Sequence, residues 1–182
     1  LTWRNWGAPE DRRYAAIRAR HEPGFAWKSA YLVFGLQALL AAVIGMPLLA
    51  ALSGGGALGA LDCAGLALWL IGFGCETIAD WQLARFRAVP ENRDKVLEAG
   101  LWRYSRHPNY FGEALLWWGF FLFAVAAGAA WTVFAPALMT FLLLKVSGVA
   151  LLERDIHERR PAYRDYVART PAFVPWRPRR IA

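Results

Sequence analysis

Two long stretches of the chain carry no charged residue at all, Ser29 to Leu61 and Ala114 to Leu144. About 20 apolar residues in helical form cross the hydrocarbon core of a bilayer. Uncharged runs of this length therefore read as membrane spans and not as helices buried in a soluble core. The 57% hydrophobic and 15% aromatic content over 182 residues agrees with a chain that folds against lipid. The expected fold class is all-α, a polytopic membrane helix bundle.

Turn signals divide the apolar sequence into four complete spans. The first covers about 25–52, with a kink expected at Pro47, and Ser53-Gly54-Gly55-Gly56 closes it. The second covers about 57–83 and the third about 109–127, where Gly128 turns the chain. The fourth covers about 131–152. Before them, Pro9 to His21 reads as an interfacial helix broken by Glu22-Pro23-Gly24. Three regions are expected: an interfacial segment 1–28, a membrane domain 29–152 containing a polar loop 84–113, and a basic tail 153–182 with a short helix near 161–169.

The net charge of +7 is distributed unevenly. Six Lys and Arg residues lie in the first segment, six in the middle loop from Arg85 to Arg106 and eight in the tail, while the two glycine turns have none. By the positive-inside rule the segment, loop and tail face the cytoplasm. The charge is thus topological, and nucleic acid is not an expected partner. Cys63 and Cys75 lie in one apolar span without a partnering pattern, so neither a disulfide nor a metal site is expected.

Some ionisable groups fall inside the spans. At 1.5 Å per residue, Glu76 lies about 13 Å in from Arg85, Glu113 about 8 Å in from Pro108, and Lys145 about 13 Å in from Arg154. Asp80 and Asn109 stand one turn shallower on the faces of Glu76 and Glu113. Each such group costs a few kcal/mol facing lipid. Two solutions are open: structural ion pairs of Lys145 with Glu76 or Glu113, or one polar cavity open to the cytoplasm. The loop favours the cavity, because Arg87, Arg103, Arg106 and Arg154 give it a rim suited to phosphates. Carboxylates and an amide at its floor suit ribose hydroxyls and amides, so an anionic nucleotide fits better than a metal. Pro108 suits the first turn of the third span, which sets His107 and Asn109 at the helix entrance.

The stretch Gly100-Leu-Trp-Arg-Tyr-Ser-Arg-His-Pro-Asn-Tyr-Phe-Gly-Glu113 resembles the signature loop of the membrane steroid 5-alpha-reductase family, in particular its bacterial DUF1295 branch. Glu76-Thr-Ile-Ala-Asp80, Arg87 and the tail from Glu153 to Pro175, with Tyr163 and Tyr166, extend the likeness. The Arg-His-Pro-x-Tyr-x-Gly core is shared more widely, with sterol reductases and isoprenylcysteine carboxyl methyltransferases; Asn109 and Glu113 favour the reductases. The resemblance implies the last four spans of a seven-span enzyme in a bacterial inner membrane, binding NADPH and a lipophilic substrate. By position it implies that Asp80, Arg87, Tyr104, Asn109 and Glu113 contact the cofactor. Arg103, Arg106, His107 and Tyr110, loop positions common to both branches, and Glu153, which opens the matching tail, are expected with Glu76 and Lys145 to complete the cofactor-binding set.

Lys145 stands near an arginine of the steroid enzymes, and Glu76 stands where they carry an amide residue. The implied chemistry is hydride delivery to the β-carbon of an enone with an acid on the carbonyl oxygen. The family's proton-donating tyrosine aligns just before Leu1, so no catalytic acid is assigned; either further spans lie upstream or the chain is a cofactor-binding remnant. The alternatives are an S-adenosylmethionine-dependent methyltransferase of the isoprenylcysteine type and a non-enzymatic scaffold.

Overall fold

A computed structural model describes Gly7, residues 12–154, Ile156 and residues 162–179. The expectations attached to Leu1–Trp6, His157 and the tail arginines at 159, 160 and 180 lie outside the described residues. Among the described residues every regular element is helical. The chain divides into two compact units, 1–43 and 44–182.

In the first unit, helix α1 (Arg12–His21) ends where Gly24 takes the left-handed φ of 89°. The Lys28 ammonium donates to the carbonyls of His21 and Pro23, both at 3.0 Å, and so closes the end of α1. Helix α2 (Phe25–Ile44) follows and contains a π-helical turn at Ala30–Gly35. Its Trp27, Tyr31 and Phe34 are exposed, as lipid-facing side chains would be.

The first expected span does not run through to residue 52. It breaks at Gly45, and a separate helix α3 (Met46–Ser53) begins around Pro47. Proline has no N–H to give and its ring excludes the carbonyl four residues back, so a new helix starts where a kink was expected. Helix α4 (Ala60–Arg87) starts where the Gly59 N–H donates to Asp62 Oδ2 at 2.8 Å. Asp62 is therefore a cap. Helix α5 (Pro108–Ala126) begins at the proline that the sequence marks, and Gly128 (φ 83°) turns the chain after it. Helix α6 (Ala130–Glu153) is composite, with a π-helical turn at Leu142–Val146 and a break at Ser147–Gly148. A last helix α7 (Tyr163–Arg169) lies in the tail.

Among the described residues α2, α4 and α6 are long and apolar enough to cross a membrane. Helix α5, the third of the four expected spans, is not in that set. Its first two turns carry Asn109, Tyr110 and Glu113, and they offset the apolar remainder.

Glycines set how α4 meets α5. A Cβ on Gly72 would lie 2.6 Å from the Gly112 carbonyl oxygen, and one on Gly119 would lie 2.8 Å from that of Gly65. The two backbones thus touch at two levels, the close approach that small residues permit between membrane helices. Gly74, two residues on from Gly72, meets nothing within 4 Å. At one end of this pair the two glycine turns lie together, since a Cβ on Gly54 would collide with Ala127.

Candidate functional site

The polar residues of α4 and α5 gather where the helices touch. A Cβ on Gly112 would come within 2.5 Å of the Glu76 backbone nitrogen, so Glu76 and Glu113 flank one crossing point. One turn further out, Asn109 Nδ2 donates to Asp80 Oδ1 at 2.9 Å. Glu76, Asn109 and Glu113 are half-buried and Asp80 is exposed. Glu113 is within electrostatic reach of both Glu76 and Asp80. Asn109 Oδ1 is buried and has no hydrogen-bond partner among the described residues. A buried amide oxygen without a donor costs roughly 1–3 kcal/mol, and a ligand N–H or O–H would remove that cost. Among the described residues no group of three or more His, Cys, Asp and Glu side chains is disposed to hold a metal ion.

The loop above this cluster is pinned from below by α4. Leu101 N–H donates to Gln82 Oε1 at 3.1 Å, and Trp102 Nε1–H donates to the Ala79 carbonyl at 3.0 Å. From above it is held by the tail. Arg106 N–H donates to the Pro171 carbonyl and Trp176 N–H to that of Tyr104, both at 2.9 Å. Ser105 Oγ donates to the Phe173 carbonyl at 2.7 Å, and the buried Tyr166 hydroxyl reaches the carbonyls of Trp102 and Ser105.

Arg106, His107 and Glu153 form the centre of this grip. Arg106 Nε and Nη2 donate to the two Glu153 oxygens at 2.7 and 2.8 Å, a bidentate pair. Arg106 Nη1 donates to the carbonyls of Thr170 and Val167 at 2.6 and 3.2 Å, so all three nitrogens are engaged. Burial alone would lower the Arg106 pKa, but the bonds to Glu153 outweigh it and hold the charge more firmly than usual. His107 Nε2 lies 2.9 Å from Glu153 Oε1, and the Tyr163 hydroxyl donates to the same oxygen at 3.3 Å. The His107 ring stacks on Tyr110 with centroids 5.6 Å apart.

The remaining expected site residues stand elsewhere. Arg87, Arg103 and Tyr104 are exposed, on the last turn of α4 and on the loop. Lys145 is exposed on the π-helical turn of α6 and, among the described residues, makes no ion pair with Glu76 or Glu113. The paired-charge solution open from sequence is therefore not the one adopted.

A family model described as "Protein of unknown function (DUF1295)" matches residues 1–170. The chain belongs to the DUF1295 family. It is 30% identical over 140 residues to an uncharacterized protein of Schizosaccharomyces pombe, covering 65% of this chain and 40% of that protein. To 3-oxo-5-alpha-steroid 4-dehydrogenase 1 of Bos taurus it is 37% identical over 82 residues, 44% of this chain and 30% of the relative. To the human enzyme of that name it is 32% identical over 94 residues, covering 52% and 33%. The chain thus spans between about a third and two-fifths of the length of these relatives. No solved structure matches it.

In this DUF1295 chain the tail grip was the part that sequence reasoning missed. Ser105, Gln82 and Thr170 carry no motif in the sequence, and no local pattern pairs Arg106 with Glu153, 47 residues away. Trp102 lies on the loop before α5. It is 8% exposed and serves as a peg into α4. Two further tryptophans pack within the bundle: Trp69 stacks on Phe73 at 5.1 Å, and Trp118 Nε1–H donates to Thr140 Oγ1 at 3.2 Å.

Proposed function

We propose that this DUF1295 chain carries the nucleotide-binding part of a membrane reductase. It would use NADPH to reduce an enone or another activated C=C bond in a lipophilic, steroid-like or isoprenoid substrate. The observation that carries this reading is the buried, donor-less Asn109 Oδ1 set among Glu76, Asp80 and Glu113 at the α4–α5 crossing. The set is rich in acceptors, its Asn109 amide N–H going to Asp80, and ribose hydroxyls and a carboxamide provide donors. Kinship to proteins named 3-oxo-5-alpha-steroid 4-dehydrogenase supports the oxidoreductase class and the lipophilic substrate.

Asn109, Glu113, Glu76 and Asp80 would orient the sugar and amide portion of the dinucleotide by accepting its hydrogen bonds. Arg87 and Arg103, exposed at the rim, would take its phosphates, with Lys145 as a further cation. Arg106, His107, Tyr110 and Glu153 would act as the frame that keeps the loop and the start of α5 in register with α4. Bound NADPH supplies the hydride. The acid for the substrate oxygen is left unassigned. Four spans, with the loop and tail on the cytoplasmic side of a bacterial inner membrane, complete the proposal and follow the charge distribution.

Thermal stability of the purified full-length protein tests this. NADPH should raise the melting temperature of wild type, and Asn109→Ala or Glu113→Ala should lose that rise. Stabilisation by S-adenosylmethionine in place of NADPH would favour the methyltransferase. Stabilisation by neither would point to a scaffold.

A further inference from the structure

The loop and the tail strap flank an open groove of about 650 Å³ lined by Tyr104, Pro175, Trp176 and Arg177. That volume is in the range of small-molecule sites. The groove is built and not incidental, because Trp176 N–H donates to the Tyr104 carbonyl at 2.9 Å and ties its two walls together. Its aromatic walls are unusually bare: Tyr104 is 43% and Trp176 74% exposed. No ion pair occupies Arg177 among the described residues. Two open aromatic rings, a proline face and an available guanidinium suit a flat heteroaromatic base carrying phosphate. The groove shares the loop that leads into the proposed cofactor site. Tyr104 adjoins Arg103 and lies five residues before Asn109 in the same loop.

We infer that this groove takes the adenosine end of the dinucleotide, Trp176 and Tyr104 stacking on the base and Arg177 meeting the phosphate on its ribose. The inference rests on the proposed NADPH reading and adds a specificity determinant to it: preference for the phosphorylated cofactor comes from the tail strap. Arg106 is not available for that role, since all three of its nitrogens are bonded within the protein.

Equilibrium binding to the full-length protein in zwitterionic lipid nanodiscs separates the possibilities. The probes are NADPH, NADH, adenosine 2′,5′-bisphosphate and nicotinamide mononucleotide. Trp176→Ala should weaken NADPH and the bisphosphate roughly tenfold or more, leaving nicotinamide mononucleotide unchanged. Arg177→Gln should weaken NADPH but not NADH and so collapse the ratio between them. Equal weakening of all four ligands, or wild-type affinities in both variants, would overturn the inference. So would variants that bind nucleotides normally but lose stability only in anionic nanodiscs, which would assign the groove to lipid headgroups. Failure of wild type to bind NADPH at all would strike the proposed function itself.

Discussion

At the scale of single residues the molecule spends its strongest interactions on fixing a loop. A buried bidentate pair is a poor source of net stability, yet removing one partner strands a charge and costs about 3 kcal/mol or more. Glu153→Gln should therefore lower the melting temperature by several degrees and loosen the loop, read as faster amide hydrogen exchange at residues 101–107. Arg106→Lys should behave similarly, since an ammonium cannot serve two carboxylate oxygens and two carbonyls in one plane. Tyr166→Phe leaves the carbonyls of Trp102 and Ser105 without their donor and should cost about 1–3 kcal/mol.

The phenols of Tyr163 and Tyr166 are both held above their ordinary pKa of 10.0, chiefly by burial. With the folded value above the unfolded one, their contribution is fully present below pH 10. It is lost as pH climbs through the folded values. Melting temperature should be insensitive to these two groups near neutrality and fall in the alkaline range, and the Tyr166→Phe protein should show a shallower fall.

Among the elements, the α4–α5 contact decides whether the polar residues meet at all. Gly112→Ala places a methyl against the Glu76 backbone, where no flexible side chain can yield. It should destabilise by about 1–3 kcal/mol and weaken NADPH binding with it. Gly74→Ala, on the same helix with nothing within 4 Å, should leave both unchanged. Melting curves with and without NADPH for the two variants make the comparison.

The contrast also marks what a sequence can reveal about such a site. The start of α5 at Pro108, the turn at Gly128 and the shared faces of Glu76 with Asp80 and Asn109 with Glu113 are local facts. Proline chemistry, a positive φ and the 3.6-residue period state them directly. Which of Gly72 and Gly74 meets a neighbour depends on the rotation of α4 against α5, and no local pattern states that. The tail grip is further still from local rules, because Arg106 and Glu153 are 47 residues apart and most of the other bonds run to backbone carbonyls. The π-helical turns at Ala30–Gly35 and Leu142–Val146 leave no periodic trace over so few residues.

On the scale of the whole molecule, three helices among the described residues fit a bilayer by length and composition, and α5 combines a polar entrance with an apolar body. That combination is what a helix needs if it is to carry a hydrophilic ligand to the edge of a lipid-facing bundle. The Lys and Arg residues cluster outside the glycine turns, and those turns come together at one end of the α4–α5 pair. On the topology proposed above, and with the native cysteines replaced, Gly55→Cys should react with an impermeant maleimide added to intact cells. Arg93→Cys should react only after the membrane is opened.

NADPH affinity of the full-length protein, measured by titration in nanodiscs for wild type, Asn109→Leu and Gly74→Ala, tests the crossing of α4 and α5 as a cofactor cradle. Asn109→Leu should lose at least tenfold in affinity while keeping its melting temperature without ligand, and Gly74→Ala should match wild type. Undiminished NADPH binding by Asn109→Leu would contradict it.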